Sequence, residues 1–423
     1  MSEDVVYELN LRAEGGESVF LGIAQRLPLI RALGTNVLWL MPVQPAGKLR
    51  SAGGLGSPYA VADYDRLNPE FGTEAEFKAL IAEAHRLKMR VILDWVANHT
   101  AWDHPWTKEH PDWYTRDAKG EIRIPAGTNW NDAADLDFAS VSLRRAMTRA
   151  MQGWVSRYGI DGFRCDTADW VPADYWKSAI TALRGSAKRP LLMLAEGARA
   201  DHYASGFDLT YGWAFAYRLK EAFAGKSARE VGRADAEERK AAPAGKGPLR
   251  FSSNHDWAAW DGTPLEMFRT PAGVRSAFLV TALSGGAPLI YGGQEVGWDR
   301  RVPIFDRSAI DWSSGAETRR WITDLLRLRQ NHPALRTGTS TDLSTDDAVA
   351  FWRRAGGEEA LVLANVRDAA KGVEVPVGAR GAWHDGLTGA KTTVGGTIDL
   401  PAYGARVLLR ATGRVPGRAR SLQ

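Results

Sequence analysis

The sequence predicts an α/β protein in which parallel strands alternate with helices and close into a barrel, followed by a small antiparallel β domain. Three observations support this fold class. Short apolar runs recur through residues 1–337, as in strands that are covered on both faces. Segments with helical apolar spacing separate them, and the unit of strand and helix repeats about eight times, which favours a (β/α)8 TIM barrel over an open doubly wound sheet. From about residue 339 the pattern changes to short strands joined by glycine-rich turns.

The elements of the barrel follow from the spacing of apolar residues. Continuous apolar or β-branched runs predict strands over residues 5–9, 36–41, 90–96, 158–166, 190–196, 207–210, 249–256 and 288–291. Helical spacing predicts helices over residues 19–33, 73–87, 142–157, 175–183, 213–242, 272–283 and 317–330. Thr73 and Glu76 have the spacing of a capping box at the start of the second helix. After the third strand the chain enters a tryptophan-rich excursion, which we place at residues 100–136.

The second part of the chain has the alternation of a β domain. Strands are predicted over residues 348–352, 360–363, 372–375, 397–400 and 405–409. We therefore divide the chain into a barrel over residues 1–337 that includes the excursion, a β-sandwich domain over 338–412 and a basic tail over 413–423.

Composition excludes several classes of function. The 423 residues carry a formal net charge of +4 without a basic stripe with interleaved aromatic residues, so we expect no nucleic-acid partner. The one cysteine, Cys165, excludes an intramolecular disulfide. The first residues lack a signal-peptide pattern, and no apolar run is long enough to cross a bilayer. We expect a cytoplasmic protein without a membrane partner, or a secreted one if a leader has been removed.

Residues 158–166 form a predicted strand that ends in charges. Arg164 and Asp166 are two residues apart, so they face the same way on a strand. Burying such a pair is costly unless each group serves the other. Two interpretations are open at this point: a structural ion pair, or an arginine that keeps a carboxylate ionised and directed as a nucleophile.

Polar or acidic side chains also end three other predicted strands. These are Asp94 with Asn98 and His99, then Glu196, then His255 with Asp256. In a parallel barrel the carboxyl ends of all strands open on one face, and that face holds the active site. Acids crowded at one mouth repel each other and cost stability, so their coincidence favours a functional over a structural interpretation.

These segments resemble the signature regions of the α-amylase family of retaining glycoside hydrolases (glycoside hydrolase family 13). Four regions stand in order at residues 94–99, 162–166, 196 and 251–256, and residues 135–137 resemble the short fifth region. The resemblance covers the whole chain, including the C-terminal β domain. It implies an α-glucan oligosaccharide or polysaccharide as the substrate, and chemistry that requires no cofactor.

The resemblance implies a role for each acid. Asp166 would be the nucleophile that forms a covalent glycosyl-enzyme, with Arg164 holding it ionised. Glu196 would act first as general acid and then as general base, and burial among acids would raise its pKa. Asp256 would grip sugar hydroxyls and distort the ring toward the transition state.

The resemblance also implies contacts with the sugar at the cleaved bond. The expected substrate-binding residues are Tyr59, Asp94, His99, Arg164 and His255. The two histidines would donate hydrogen bonds to sugar hydroxyls, and Tyr59 would stack under the ring unless it is an ordinary loop aromatic. Four tryptophans could serve either as further sugar platforms or as core packing, namely Trp102, Trp106, Trp257 and Trp260.

A structural calcium ion is a further expectation from the resemblance. Calcium-dependent members of the family use an asparagine like Asn98, an acid like Asp135, and a backbone carbonyl at the position of Trp170, where a histidine is usual. Only two oxygen-bearing side chains match, whereas calcium prefers roughly 6–8 oxygen ligands. Hydrogen bonds from these two side chains to their own loop are an equal alternative.

Three departures from the family pattern bear on the substrate. The excursion is short, and Gly56 stands where exo-acting α-glucosidases of the family carry an acid, three residues before Tyr59. Both features indicate an open cleft that accepts oligosaccharides or polysaccharides. Thr167 follows Asp166 where a valine goes with α-1,6 specificity in related glucosidases, so α-1,4 linkages are favoured.

Three functional hypotheses result. The first is a retaining hydrolase that cuts α-1,4 bonds in maltooligosaccharides or starch-like glucans. The second is an α-glucan transglycosylase or a cyclomaltodextrinase-like enzyme that uses the same residues, because a sugar hydroxyl can replace water. The third is an inactive glucan-binding barrel, which the presence of all three acids disfavours.

Overall fold

The computed structural model describes residues 3–16 and 18–411. Residue 412 and the basic tail that the sequence predicts at 413–423 lie outside these residues. Eight parallel strands form a closed barrel, each paired with its two neighbours. In chain order they are β1 (Val6–Leu9), β2 (Val37–Leu40), β3 (Arg90–Trp95), β4 (Gly162–Cys165), β5 (Leu192–Ala195), β6 (Leu209–Tyr211), β7 (Gly247–Arg250) and β8 (Ala287–Tyr291). The predicted barrel is confirmed.

Helices cover the outside of the barrel. They are Val19–Ala32, Glu74–Arg86, Val141–Tyr158, Ala173–Ser186, Trp213–Phe223, Arg229–Ala241, Pro264–Phe268, Pro271–Leu283, Ala316–Asn331 and Pro333–Thr337. The predicted capping box is present, with Thr73 and Glu76 each bonded to the backbone N–H of the other. Gly159 ends the helix Val141–Tyr158 at a φ of 68°, a left-handed value that favours glycine. Among the described residues, no helix has both the length and the apolar composition needed to cross a membrane.

Two sequence predictions for the barrel were wrong in detail. The helix predicted over residues 213–242 is two helices, Trp213–Phe223 and Arg229–Ala241, because Gly225 adopts a φ of 104° between them. The strand predicted over residues 249–256 ends at Arg250, and the polar residues that follow form a loop that becomes helical at His255. That loop leaves the barrel wall and so places its side chains at the mouth.

The excursion after β3 is compact. Two short strands, His99–Ala101 and Ala133–Asp135, pair antiparallel at its ends, so the excursion leaves and returns beside the barrel mouth. Between them lie the short helix Trp106–Glu109 and the single turn Pro111–Trp113.

The C-terminal part is an antiparallel β domain. A six-stranded sheet contains, in spatial order, Thr339–Asp342, Ala348–Ala355, Glu358–Asn365, Ala405–Ala411, Gly381–Asp385 and Lys391–Val394. A separate pair consists of Lys371–Glu374 and Thr397–Leu400. The two sheets share a core that includes Leu361, Trp383 and Ile398. The sequence analysis missed three of these strands, and two of the three are the polar edge strands, whose side chains show little apolar alternation.

Candidate active site

The carboxyl ends of β3, β4, β5 and β7 bring the predicted acids to one end of the barrel. Asp94 lies within β3, Asp166 directly after β4, and Glu196 directly after β5. Asp256 follows β7 in the loop that replaces the end of the predicted strand. Parallel pairing sets Asp94 beside Arg164 in register, so the strands themselves bring these groups together.

Arg164 lies at the centre of this end, with its side chain wholly buried. One terminal nitrogen, Nη1, donates to Asp94 Oδ1 at 2.9 Å and to Asp166 Oδ1 at 2.7 Å. The other, Nη2, lies 2.8 Å from Glu196 Oε1 as an ion pair, without the alignment of a hydrogen bond. Its Nε donates to the hydroxyl of Tyr211 on β6. One guanidinium therefore holds three acids within its reach.

The surroundings of Glu196 favour its protonated form. Burial raises the pKa of its carboxyl to about 8, and the Asp166 and Asp256 carboxylates add to the shift. The Arg164 guanidinium and the backbone N–H of Thr167, which donates to Oε2 at 2.7 Å, act in the opposite direction. The effect of burial on the pKa is larger than the effect of these two groups, so Glu196 is protonated at neutral pH.

Tyr59 and His255 form the wall beside these acids. The Tyr59 hydroxyl lies 2.8 Å from His255 Nε2 and donates to Asp94 Oδ2 at 3.2 Å. The two rings stack with centroids 5.4 Å apart and an interplanar angle of 21°. His255 Nε2 also lies 3.5 Å from Asp256 Oδ2. Tyr59 is thus part of the site rather than an ordinary loop aromatic.

His99 lies on the first excursion strand, opposite this wall. Burial lowers the pKa of its imidazole, so the ring is neutral near physiological pH. Trp130, from the returning end of the excursion, packs against it with centroids 5.4 Å apart.

A cleft of about 700 Å³ opens above these groups. Six of the eight predicted site residues line it: Tyr59, His99, Asp166, Glu196, His255 and Asp256. Asp94 and Arg164 lie beneath it, fully buried, and act on the cleft through the groups above them.

The four tryptophans whose role the sequence left open lie in different surroundings. Trp260 lines the cleft and is 58% exposed. Trp257 is buried and packs against Phe251, and Trp106 packs in an aromatic cluster with Tyr64. Trp102 is covered by the Arg50 guanidinium, 3.9 Å from its ring centroid. Trp260 alone of the four has a free face on the cleft.

Comparison with known proteins agrees with this geometry. The family described as "Alpha amylase, catalytic domain" matches residues 14–134. An alpha-amylase structure from Lactobacillus plantarum superposes with a TM-score of 0.86 at 28% sequence identity, covering 97% of this chain and 99% of that one. The chain is similar to α-amylases over most of its length.

Two curated relatives are longer than this chain. Alpha-amylase MalA of Haloarcula japonica is 26% identical over 401 residues, which are 90% of this chain and 58% of that protein. The alpha-1,4-glucan:maltose-1-phosphate maltosyltransferase of Pseudomonas aeruginosa is 32% identical over 203 residues, which are 42% of this chain and 30% of that protein. The matched part of this chain therefore spans 58% of the length of the first relative and 30% of the length of the second.

The two side chains that the resemblance assigns to calcium make contacts within their own loops. Asp135 Oδ2 accepts a hydrogen bond from Thr115 Oγ1 at 2.6 Å and lies 3.6 Å from the Arg123 guanidinium. This one oxygen thus already serves a hydroxyl and a cation. The Asn98 amide lies 3.4 Å from His99 Nδ1. Within the described residues, no group of three or more acidic, histidine or cysteine side chains is arranged to hold a metal ion.

Sequence reasoning missed several residues of the site. Glu8 on β1 contacts His255, and the only signal for it was a carboxylate inside an apolar strand. Trp130, Asn131 and Phe305 line the cleft from loops whose course the sequence does not predict. The backbone N–H of Thr167 donates to Glu196, and no side chain in the sequence indicates this hydrogen bond.

Proposed function

We propose that the protein is a retaining α-glycoside hydrolase that cleaves α-1,4-glucosidic bonds in maltooligosaccharides or starch-like glucans. The observation that carries the proposal is the arrangement around Arg164. That guanidinium contacts Asp166 and Glu196 together, while burial keeps Glu196 protonated. A retaining glycosidase needs this combination of one ionised and one protonated carboxyl group, about 5–5.5 Å apart.

In the first step Asp166 is the nucleophile. Arg164 holds Oδ1, which leaves Oδ2 with a contact of only 3.3 Å from the Thr167 hydroxyl. Oδ2 attacks the anomeric carbon, and the bond from that carbon to the glycosidic oxygen breaks. Glu196 gives its proton to the departing oxygen, so the leaving sugar is neutral and the remaining sugar is esterified to Asp166.

In the second step Glu196 is a base. Its carboxylate takes a proton from a water molecule, whose oxygen attacks the same carbon and breaks the ester bond. Asp166 is released as a carboxylate and Glu196 is protonated again, so both groups return to their starting states. Two inversions give a product with the α configuration of the substrate.

The remaining groups support binding and ring distortion. Asp256, about one third exposed, faces the cleft and accepts from sugar hydroxyls, and His99 and His255 donate to them. Tyr59 offers a ring face under the sugar. Trp260 supports a glucan chain away from the cleaved bond, since an indole face stacks on the apolar side of a pyranose. The short excursion keeps the cleft open for longer chains.

Transfer to a sugar hydroxyl is a second candidate. It is favoured by the similarity to the maltosyltransferase of Pseudomonas aeruginosa. The same glycosyl-enzyme serves both reactions, so the acceptor decides the outcome. Chromatography of the products from maltotriose discriminates them, because transfer gives oligosaccharides longer than the substrate and hydrolysis gives shorter ones only.

The experiment that tests the proposal uses a panel of maltose, maltotriose, cyclodextrin, pullulan, isomaltose, sucrose and trehalose. The wild type is compared with Asp166→Asn, Glu196→Gln and the control Asp261→Asn, an acid at the rim that pairs with Lys220. We expect α-1,4-linked substrates to be cut by the wild type and the control only. Full activity in Asp166→Asn contradicts the proposal, and starch binding without release of reducing sugar in the wild type supports a glucan-binding barrel instead.

A further inference from the structure

Glu8 is a fully buried carboxyl group on β1 with no part in the reaction steps above. It lies between β2 and β8, paired with Trp39 and Tyr291. Its neighbour Tyr7 faces away from the barrel interior, because successive side chains alternate, and donates to Glu295. Burying a carboxyl is costly unless it is paired, so its partner indicates its purpose.

The partner of Glu8 is His255. Oε1 of Glu8 lies 2.5 Å from Nδ1 of the imidazole and 3.4 Å from the backbone N–H of the same residue. Oε2 is buried and has no hydrogen-bond partner among the residues that the structure describes. The carboxyl is therefore committed to His255.

The His255 ring is also fixed on its other sides. Tyr59 stacks on one face, and the edge of Trp39 meets the ring with centroids 5.8 Å apart. Nε2 points at the Tyr59 hydroxyl and at Asp256. Since the Tyr59 hydroxyl donates its single proton to Asp94, its oxygen is free to accept from Nε2–H.

The shared proton between Glu8 and His255 decides whether Nε2 carries a hydrogen. If that proton lies on Nδ1, the ring is an imidazolium and Nε2 is protonated. If it lies on Glu8, Nδ1 is an acceptor and the neutral ring again carries its hydrogen on Nε2. Only loss of the proton from the pair leaves Nε2 bare, unable to donate to Tyr59, to Asp256 or to a sugar hydroxyl.

We propose that Glu8 is a positioning residue that holds His255 with its Nε2–H directed at Tyr59 and Asp256. The inference rests on the proposed function, since the donor is useful only where a sugar meets the cleft. Glu8 touches no substrate and acts through His255, as the acid of a catalytic triad acts through its histidine.

The charges around His255 make this role necessary. Burial and the Arg164 guanidinium both lower the pKa of the imidazole, and Asp94 is already engaged by Arg164. The Asp256 and Glu8 carboxylates outweigh them and raise the pKa of His255 to about 9. The other titratable groups that face the pair are the hydroxyls of Tyr59, Tyr211 and Tyr291. A raised pKa keeps the proton on the pair until the pH rises through about 9, above the pH at which Glu196 loses its own.

The test compares Glu8→Gln with the control Tyr7→Phe. Glutamine keeps the shape and a hydrogen bond but removes the charge, whereas Tyr7→Phe removes a buried hydrogen bond on the outer face of the same strand. Imidazole ¹⁵N spectra of the purified proteins, with the His255 signal assigned by its absence in His255→Asn, give the pKa of His255. The kcat and KM for maltotriose are measured against pH in parallel.

We expect Glu8→Gln to lower the pKa of His255 below that of Glu196, so that the basic limb of the kcat profile moves to lower pH. The kcat falls about 10- to 100-fold, as for other groups that orient a functional histidine, with little change in KM. Tyr7→Phe keeps the wild-type profile. An unshifted His255 pKa together with an unshifted kcat profile in Glu8→Gln overturns the proposal.

The ¹⁵N titration of His255 in the wild type keeps the test of Glu8 separate from the test of the proposed function. If Glu8→Gln does not fold, the wild-type titration decides, because a His255 pKa at its ordinary value contradicts the role of Glu8. If the wild type cuts no glucan, the proposed function fails, while the ¹⁵N titration still reports whether Glu8 holds the proton on His255.

Discussion

Arg164 and Glu196 contact each other at 2.8 Å on the floor of the cleft, and yet Glu196 keeps its proton at neutral pH. A lone ion pair of this kind would favour the carboxylate. The guanidinium, however, is shared with Asp94 and Asp166, and the burial of Glu196 outweighs what remains of the attraction. The same cation therefore contacts Asp166 together with a protonated Glu196.

The first prediction concerns pH. Glu196 must be protonated to begin the reaction, and its pKa is raised to about 8, so kcat/KM is full below that value and falls tenfold per unit as the pH rises beyond it. Initial rates on maltotriose across pH check this. In Glu196→Gln, assayed with a substrate whose leaving group needs no protonation, the limb at about 8 is absent; its persistence would assign the limb to another group.

The second prediction concerns Trp260. Replacing this exposed indole by alanine removes a sugar platform but leaves the acids intact. We expect KM for maltoheptaose or soluble starch to rise roughly tenfold, about 1–1.5 kcal/mol of binding, with kcat and the KM for maltose nearly unchanged. Leu265→Ala, an exposed apolar residue a few positions away, is the matched control. An equal effect on short and long substrates would argue for a general loss of structure instead.

The third prediction concerns metal removal. Asp135 is engaged by Thr115 and Arg123, so we expect a chelator to leave both the Tm and the activity unchanged. Differential scanning calorimetry and starch hydrolysis with and without EDTA check this. A fall in Tm that calcium restores and magnesium does not would show a calcium site that these contacts do not reveal.

The fourth prediction concerns the start of β4. Gly162 has a φ of 146°, and an added Cβ would lie 1.9 Å from the backbone oxygen of Leu192 on β5. Gly162→Ala should lower the free energy of unfolding by roughly 3 kcal/mol or more, because strain and overpacking add. Gly153→Ala, on the helix Val141–Tyr158, should raise it by up to about 1 kcal/mol, because an added Cβ there meets only side-chain atoms, at 3.5 Å or more. Urea unfolding of the two variants gives both values, and equal effects would contradict the geometry.

The sequence predicted the barrel because the apolar pattern of each strand and helix is visible within a short segment of the chain. Runs such as the one around Ile92 must be apolar when helices cover one face of a strand and the barrel interior the other, and that need is visible without the structure. The mouth of the barrel was predictable for a related reason. A charged group such as Arg164, at the end of an apolar run, has no inexpensive structural explanation.

What the sequence could not give depends on pairing across the chain. Glu8 and His255 are 247 positions apart, and a single acid in a short strand does not name its partner. Trp257 and Trp260 belong to the same short segment of the sequence. Only the structure shows that Trp257 is buried against Phe251 while Trp260 is exposed. The contacts of Asp135 with Thr115 and Arg123 depend on how the excursion folds back, so the sequence could not predict them.

The central claim is a covalent intermediate on Asp166. A maltosyl fluoride that carries a second fluorine on the sugar ring forms the ester readily and releases it slowly, so the glycosyl-enzyme accumulates. Peptide mass spectrometry after brief incubation should find one added fluorinated maltosyl group on the peptide that contains Asp166, and none in Asp166→Asn. A label on a different acid, or steady release of the β-anomer without any label, would contradict the account.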